Sequence, residues 1–111
     1  MAYRLTFVQS AEKEWRKLGA TIKNEFLNTL EKRLEAPRVE SAKLRGLKDC
    51  YKIKLRSAGY RLVYKVYDDR IEVRVIGIGR RDGAVYDAAA DRQNAAAATR
   101  EAKKADGDEE Q

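Results

Sequence analysis

Histidine is absent from this chain of 111 residues, and cysteine and proline occur once each. Without histidine, the protein lacks the commonest general base and the commonest metal ligand. The single cysteine, Cys50, excludes an internal disulfide, which suits a reducing compartment. No apolar run approaches the length of a membrane span, and the first residues lack the apolar core of a signal peptide. These absences predict a cytoplasmic protein without a membrane partner.

Motifs of the common enzyme classes are missing as well. The chain has no glycine-rich phosphate loop, no Cys/His metal spacing and no Ser–His or Cys–His pair. Its carboxylates are scattered over predicted helix faces and turns, so neither a two-metal nuclease nor a paired-carboxylate hydrolase is indicated. The sequence therefore predicts no metal ion and no cofactor.

Positive charge is abundant and is concentrated in residues 1–92. The net charge is +6, from 24 basic and 18 acidic residues. Three of the basic and five of the acidic residues lie in 93–111, which leaves +8 on 1–92. Such a field attracts a polyanion, and nucleic acid is the default candidate. Because 93–111 has no large apolar residue, we expect one domain at 1–92 and then a frayed helix that passes into a disordered tail.

Residues 49–69 give the clearest structural signal, because period-two alternation predicts a β-hairpin around a turn at 57–59. Alternate residues of a strand point to opposite faces of the sheet. If the apolar set faces the core, Lys52, Lys54 and Arg61 lie together on the outer face. The apolar set consists of Tyr51, Ile53, Leu55, Tyr60, Leu62, Tyr64 and Val66.

Two consecutive helices are predicted after a first strand at 3–8. Their apolar residues recur at helical spacing. Ser10 and Thr21 are the predicted N-caps, Gly19 ends the first helix, and Pro37 closes the second. Two helices with a short join form an αα-hairpin, which can cover one face of a sheet.

Residues 38–48 are a predicted loop, and the last strand is predicted to begin at Ile71. Gly77 and Gly79 interrupt its pattern, which suggests a bulge or a close approach by another backbone. A short alanine-rich helix follows, to about Arg92. We therefore predict an α+β fold of order β-α-α-β-β-β, with the αα-hairpin packed on one face of a mostly antiparallel four-stranded sheet and the other face open.

The basic residues of the hairpin have two interpretations. Lone surface lysines are normal, and antiparallel sheets commonly have one solvated face. A sheet that needs only solubility would usually mix signs, however, since like charges opposite one another cost stability. A basic platform with a tyrosine can cleave RNA through the RNA's own 2′-hydroxyl, because crowded lysines lower one another's pKa and guanidinium groups stabilise charge on phosphate. By itself this chemistry is permissive and not specific.

Three segments resemble the RelE branch of the RelE/ParE toxins of bacterial toxin–antitoxin systems. They are KEWRKLG (13–19), KLRGLKDCYKIKLRSAGYRLVYKV (43–66) and IGRRDGAVY (78–86), and the likeness covers essentially residues 1–92. Members of this branch are messenger-RNA endonucleases that cut the codon in the ribosomal A site, and they pair an αα-hairpin with a four-stranded sheet. The resemblance therefore implies the predicted fold, with mRNA and the ribosome as partners.

The resemblance also implies the active residues, which correspond to Lys52, Lys54, Arg61, Arg81 and Tyr86. It implies that Lys52, Lys54 and Tyr86 position or deprotonate the 2′-hydroxyl. Arg61 would stabilise the scissile phosphate, and Arg81 would stabilise or protonate the leaving side. Arg81 and Tyr86 stand one residue closer than in close relatives, and Gly83 allows the loop to compensate. The other basic residues expected to bind RNA are Lys43, Arg45, Arg56 and Arg80.

A protein partner and two alternatives complete the expectations. The resemblance implies a RelB-like antitoxin whose complex with the toxin represses its own operon, so that operator DNA is bound only through the complex. The runner-up is a non-catalytic, ParE-like protein that poisons DNA gyrase, although that branch would not need all five active residues together. A third alternative is a plain RNA- or ribosome-binding module, which would bind in a salt-sensitive way without cleavage.

Overall fold

The structure is a computed structural model that describes residues 2–81 and 84–95. The tail is predicted to begin at residue 93, and its part from residue 96 onward lies outside the described residues. The predicted adjustment of the loop at Gly83 lies outside them too.

The elements of the described chain follow the predicted order. The strands are β1 (Arg4–Phe7), β2 (Cys50–Leu55), β3 (Tyr60–Tyr67) and β4 (Glu72–Arg80). The helices are α1 (Gln9–Arg16), α2 (Ala20–Glu35) and α3 (Val85–Arg92), and short 3₁₀ turns lie at Glu40–Ala42 and Asp68–Arg70. Within the described residues, no helix combines the length and the apolar character needed to cross a membrane.

The four strands form one sheet in the order β1-β4-β3-β2. β1 and β4 are parallel, and the other neighbours are antiparallel. The hairpin closes where Leu55 pairs with Tyr60, and Gly59 turns the chain at a φ of 69°, a left-handed conformation that glycine adopts without strain. The predicted hairpin and the mostly antiparallel sheet are confirmed.

The main core lies between the sheet and the helix pair α1/α2. Phe26 and Leu30 of α2 are buried because they recur every fourth residue on the side that faces the sheet. The ring of Trp15 packs 5.5 Å from that of Phe7 and 6.3 Å from that of Phe26, so it joins α1 to β1 and α2. Full burial of a side chain such as Leu30 contributes about 2 kcal/mol to folding. This core holds the hairpin rigidly from one side.

A β-bulge in β4 reverses the alternation of its side chains between the two faces of the sheet. Val63 pairs with Gly77, but the next residue, Tyr64, pairs with Val75, so Ile76 is an extra residue. Residues after the bulge therefore alternate in the opposite sense from residues before it. The bulge suggested by the glycines is confirmed, whereas the predicted interruption is wrong, since β4 continues to Arg80.

Both predicted N-caps are wrong. The N-cap residues are Val8 and Gly19, and neither helix has a side-chain cap. Ser10 lies inside α1, because the Val8 amide still donates to the sheet and the chain turns into helix directly afterwards. Thr21 lies inside α2, whose first intrahelical bond runs from the Lys23 amide to the Gly19 carbonyl.

The start of the last strand also differs from the prediction. Ile71 has a φ of 51° and ends the 3₁₀ turn that begins at Asp68. The strand starts one residue later, at Glu72.

The expectation that the second face of the sheet is open is wrong over β4. α3 covers that part of the sheet, and it buries Val85 and Ala89. A Cβ atom on Gly77 would lie 3.3 Å from the Val85 carbonyl oxygen and 3.6 Å from the Ala89 Cβ. A side chain at Gly77 would therefore hold the helix off, and the missing side chain is what lets α3 lie on the strand.

Candidate active site

Three basic residues of the hairpin share one face of the sheet, here called the basic face: Lys52, Lys54 and Arg61. The register pairs Lys54 with Arg61 and Lys52 with Val63, so strand alternation puts all three on the side away from α1 and α2. Directly opposed residues of an antiparallel pair have Cα atoms only about 4.5–5.5 Å apart. Like charges at that distance repel, so the arrangement costs stability and favours a bound anion.

The mutual repulsion acts most clearly on Lys54. The charge of Lys52 first, then desolvation, then the charges of Arg56 and Arg61, lower the pKa of Lys54 below its ordinary value. Each nearby cation disfavours the protonated ammonium. A lysine with a lowered pKa gives up its proton at a lower pH than an ordinary lysine, which suits a general base.

The bulge brings Arg81 to the same face. The Arg81 amide donates to the Gly59 carbonyl at 2.8 Å, which extends the β3–β4 ladder beyond the last strand residue. In an unbroken strand Arg81 would share the face of Val75, because the two are separated by an even number of positions. The extra residue, Ile76, reverses that alternation and puts Arg81 on the face of Arg61.

Tyr86 lies on α3, the helix that covers β4 on this side of the sheet. It lies in the first turn of the helix and is half-buried. Its neighbour Val85 packs over Gly79, and Gly79 is paired with Arg61 in the sheet. The start of α3, which carries Tyr86, therefore lies next to the strand position of Arg61.

The other end of α3 is held by polar side chains of the sheet. The Tyr67 hydroxyl donates to the Gln93 carbonyl at 3.3 Å, and Arg74 Nη1 donates to the Ala95 carbonyl at 2.8 Å. The Arg74 guanidinium also lies 4.4 Å from the centre of the Tyr67 ring. A cation near a helix C-terminus is favoured by the helix dipole. These contacts fix the position of α3 and so of Tyr86.

The residues predicted to bind RNA lie in three different places. Arg56 lines a shallow groove together with Lys52 and Lys54 of the basic face. The Arg80 guanidinium lies on the opposite face, 5.3 Å from the ring centre of Tyr60. Lys43 and Arg45 line a separate depression of about 860 Å³ in the loop before β2. RNA binding by these four residues stays a prediction.

Sequence reasoning misses Arg33, which reaches β2 from α2. Arg33 Nη1 donates to the Lys52 carbonyl at 3.1 Å and to the Tyr64 hydroxyl at 2.9 Å. The Tyr64 hydroxyl in turn donates to the Pro37 carbonyl at 2.7 Å. The available signal is helical spacing, because Arg33 stands three positions after the buried Leu30 and so lies beside the apolar stripe.

The described part of the chain provides neither a cluster of metal ligands nor a reactive thiol. Within residues 2–81 and 84–95, no three His, Cys, Asp or Glu side chains gather in a way that could hold a metal ion. Cys50 is fully buried, and that burial raises the pKa of its thiol to about 11. A thiol in that state stays protonated and unreactive at neutral pH.

Comparison with known proteins identifies the family. The family model described as "ParE toxin of type II toxin-antitoxin system, parDE" matches residues 5–84. The mRNA interferase toxin RelE of Escherichia coli (strain K12) is 56% identical over 82 residues, which cover 74% of this chain and 86% of that protein. The chain belongs to the RelE/ParE family of toxins. The resemblance to the RelE branch that the sequence indicates is thereby confirmed.

Solved structures of RelE toxins share the fold of this family member. E. coli toxin RelE, as a double arginine-to-alanine mutant in the free state, superposes with a TM-score of 0.77 at 53% identity. The match covers 83% of this chain and 98% of that one. The intact E. coli RelBE toxin–antitoxin complex matches with a TM-score of 0.71 at 54% identity, over 74% of this chain and 100% of that one.

Proposed function

We propose that this chain is a ribosome-dependent mRNA endoribonuclease toxin of a type II toxin–antitoxin system, which cuts mRNA in the ribosomal A site and so inhibits translation. The observation that carries the proposal is the convergence of Lys52, Lys54, Arg61 and Arg81 on one face of the sheet, with the start of α3, which carries Tyr86, next to the strand position of Arg61. The 56% identity to an mRNA interferase toxin supports the same activity.

The proposed reaction uses the RNA's own 2′-hydroxyl and no metal ion. A base removes the 2′-hydroxyl proton, the 2′-oxygen attacks phosphorus, and the bond from phosphorus to the 5′-oxygen breaks, which leaves a 2′,3′-cyclic phosphate and a 5′-hydroxyl. Lys52, Lys54 and Tyr86 position or deprotonate the 2′-hydroxyl, and the lowered pKa of Lys54 favours Lys54 as the base.

The two arginines act on the charge that develops during this step. Arg61 binds the non-bridging phosphate oxygens, since a guanidinium stays charged and can donate two parallel hydrogen bonds. Arg81 stabilises the departing 5′-oxygen or supplies its proton. The set contains no histidine and no carboxylic acid, so we expect little cleavage of naked RNA and efficient cleavage on programmed ribosomes.

Primer extension on ribosomes programmed with a defined mRNA tests this proposal. Wild-type protein should produce stops within the A-site codon. Arg81→Ala should lose roughly 100-fold or more in rate, because it removes a donor aimed at the developing charge. Arg16→Ala removes the same charge from an exposed position on α1, on the other side of the sheet, and should keep most of the activity. Equal stops from wild type and Arg81→Ala would contradict the role of Arg81.

A RelB-like antitoxin is the proposed protein partner. RelE toxins have been solved in complexes with RelB-type antitoxins, which supports this partner. α3 is eight residues long and buries only Val85 and Ala89, so a partner helix could replace it on the sheet. We further propose that the complex represses its own operon and that operator DNA binds only through it. Co-purification with the product of a neighbouring small acidic reading frame would test the partnership.

A gyrase poison is the second candidate, because the matching family model is described as a ParE toxin. It predicts DNA-damage signalling and undisturbed translation when the protein is expressed. The mRNA interferase predicts the reverse. Pulse labelling of new protein beside a DNA-damage reporter separates the two, and salt-sensitive RNA binding without either effect would indicate a plain binding module.

A further inference from the structure

A groove runs along the outer edge of β2, between that strand, α2 and the 3₁₀ turn at Glu40–Ala42. Its volume is about 370 Å³, and its lining combines four basic side chains with two small residues and no acidic one: Arg33, Lys52, Lys54, Arg56, Ser41 and Ala42. A concave surface lined by cations and a hydroxyl suits an anion with several oxygens. We infer that this groove binds the phosphate next to the scissile linkage of the RNA strand, an inference that rests on the proposed function.

Arg33 presents a guanidinium to this groove in a fixed position. Its Nη1 is held by the Lys52 carbonyl at 3.1 Å and the Tyr64 hydroxyl at 2.9 Å, and its guanidinium carbon lies 5.8 Å from the centre of the Tyr64 ring. Because both hydrogen bonds use Nη1, the donors on Nε and Nη2 can serve a ligand. A guanidinium that is already oriented loses little freedom when it binds phosphate.

The backbone of β2 adds a donor. The Leu44 amide donates to the Cys50 carbonyl at 3.0 Å, and Arg33 donates to the Lys52 carbonyl. Even-numbered residues of β2 therefore turn their peptide groups away from β3. The Lys54 amide follows the same alternation and points to the groove. Main-chain N–H groups are common phosphate ligands in nucleic-acid complexes.

The groove is continuous with the basic face, because Lys52 and Lys54 border both. The lining offers no carboxylate to balance these charges, so a bound anion would relieve their repulsion. An acidic protein segment would also be attracted. RNA is favoured because a strand whose scissile phosphate lies on the basic face has its neighbouring phosphate within reach of the same two lysines.

The test measures binding of the full chain to a labelled single-stranded oligoribonucleotide in which every 2′-hydroxyl is methylated, so that it cannot be cut. Each phosphate in turn is replaced by a neutral methylphosphonate, and affinity is measured by fluorescence anisotropy at low salt. We expect one replacement to weaken wild-type binding roughly fivefold, as the loss of one charge-assisted contact would. Arg33→Gln should weaken binding to the unmodified strand by a similar factor and should be insensitive to that replacement.

Two further variants keep the test decisive. Lys32→Gln removes the same charge from an exposed neighbouring position on α2 and should keep the wild-type sensitivity to the methylphosphonate. Arg56→Gln changes an exposed lining residue and repeats the test without disturbing the contact of Arg33 with Tyr64. Urea unfolding checks that each variant is folded.

The outcomes separate the groove from the proposed function. If Arg33→Gln and Arg56→Gln remain as sensitive as wild type at every linkage, the phosphate assignment is overturned. It is also overturned if both variants bind RNA normally and lose affinity only for an oligoglutamate probe, which would indicate a protein occupant. If Lys52→Gln weakens RNA binding and Arg33→Gln does not, only the groove assignment fails. If Lys52→Gln changes nothing either, the proposed function fails.

Discussion

The buried pair Glu72–Arg74 beneath the end of α3 offers the sharpest test of how this fold is held together. The two side chains are only 4% and 6% exposed, and Arg74 Nε donates to Glu72 Oε2 at 2.7 Å. The Thr6 hydroxyl donates to the same carboxylate oxygen at 2.6 Å. Removal of one partner of such a pair leaves a buried charge without compensation.

Glu72→Gln should therefore destabilise the protein by about 3 kcal/mol, near the lower end of the range for a broken buried pair, because the amide oxygen can still accept from Arg74. For a folded part of this size, that corresponds to a fall in Tm of roughly 12–24 °C. The matched control is Glu12→Gln, which breaks a surface pair with Arg16 whose side chains are 27% and 63% exposed. The control should cost at most about 0.5 kcal/mol.

The pair also predicts a pH dependence. Burial alone would raise the pKa of Glu72, but the hydrogen bonds from Arg74 and Thr6, helped by the charges of Arg74 and Arg4, outweigh it and lower the pKa below its ordinary value of 4.5. A carboxyl group with a lowered pKa in the folded state stabilises the protein fully above its unfolded pKa and progressively less as the pH falls through the folded one. Wild type should therefore lose stability below about pH 4.5 more steeply than Glu72→Gln.

Urea unfolding at pH 7 and along an acid series measures both effects. The double variant Glu72→Gln/Arg74→Met should recover part of the loss, because it leaves no buried charge but gives up the bond from Arg74 to the Ala95 carbonyl. The reasoning is refuted if Glu72→Gln is as stable as wild type at pH 7, or if the two proteins lose stability in parallel below pH 4.5.

Two further predictions concern the site. Arg56→Gln removes one of the charges that lower the pKa of Lys54. If Lys54 is the base, the acid limb of the rate–pH profile on programmed ribosomes should therefore move to higher pH. An unchanged acid limb would argue against that assignment. Gly77→Ala puts a Cβ 3.3 Å from the Val85 carbonyl oxygen. We expect the free energy of unfolding in urea to fall by about 1 kcal/mol, and cleavage to become slower because α3 and Tyr86 shift. Unchanged kinetics would show that the position of α3 does not matter for the reaction.

The sequence by itself determined the hairpin, the order of the elements and the side of the sheet on which Lys52, Lys54 and Arg61 lie. Strand alternation and helical spacing are local properties, and the strong apolar pattern of 49–69 leaves little choice of register. The resemblance to RelE toxins added Arg81 and Tyr86 as candidates. No local pattern in the chain shows that these two residues reach the same face.

Only the tertiary structure decided how the site is assembled. Alternation counted along β4 would put Arg81 on the wrong face, and the bulge at Ile76 that corrects it depends on pairing with β3. α3 covers β4 because Gly77 and Gly79, which have no side chain, leave room for the helix. Arg33 joins the groove because α2 packs beside β2. These contacts join different elements of the fold, and the local pattern of one strand or one helix does not predict them.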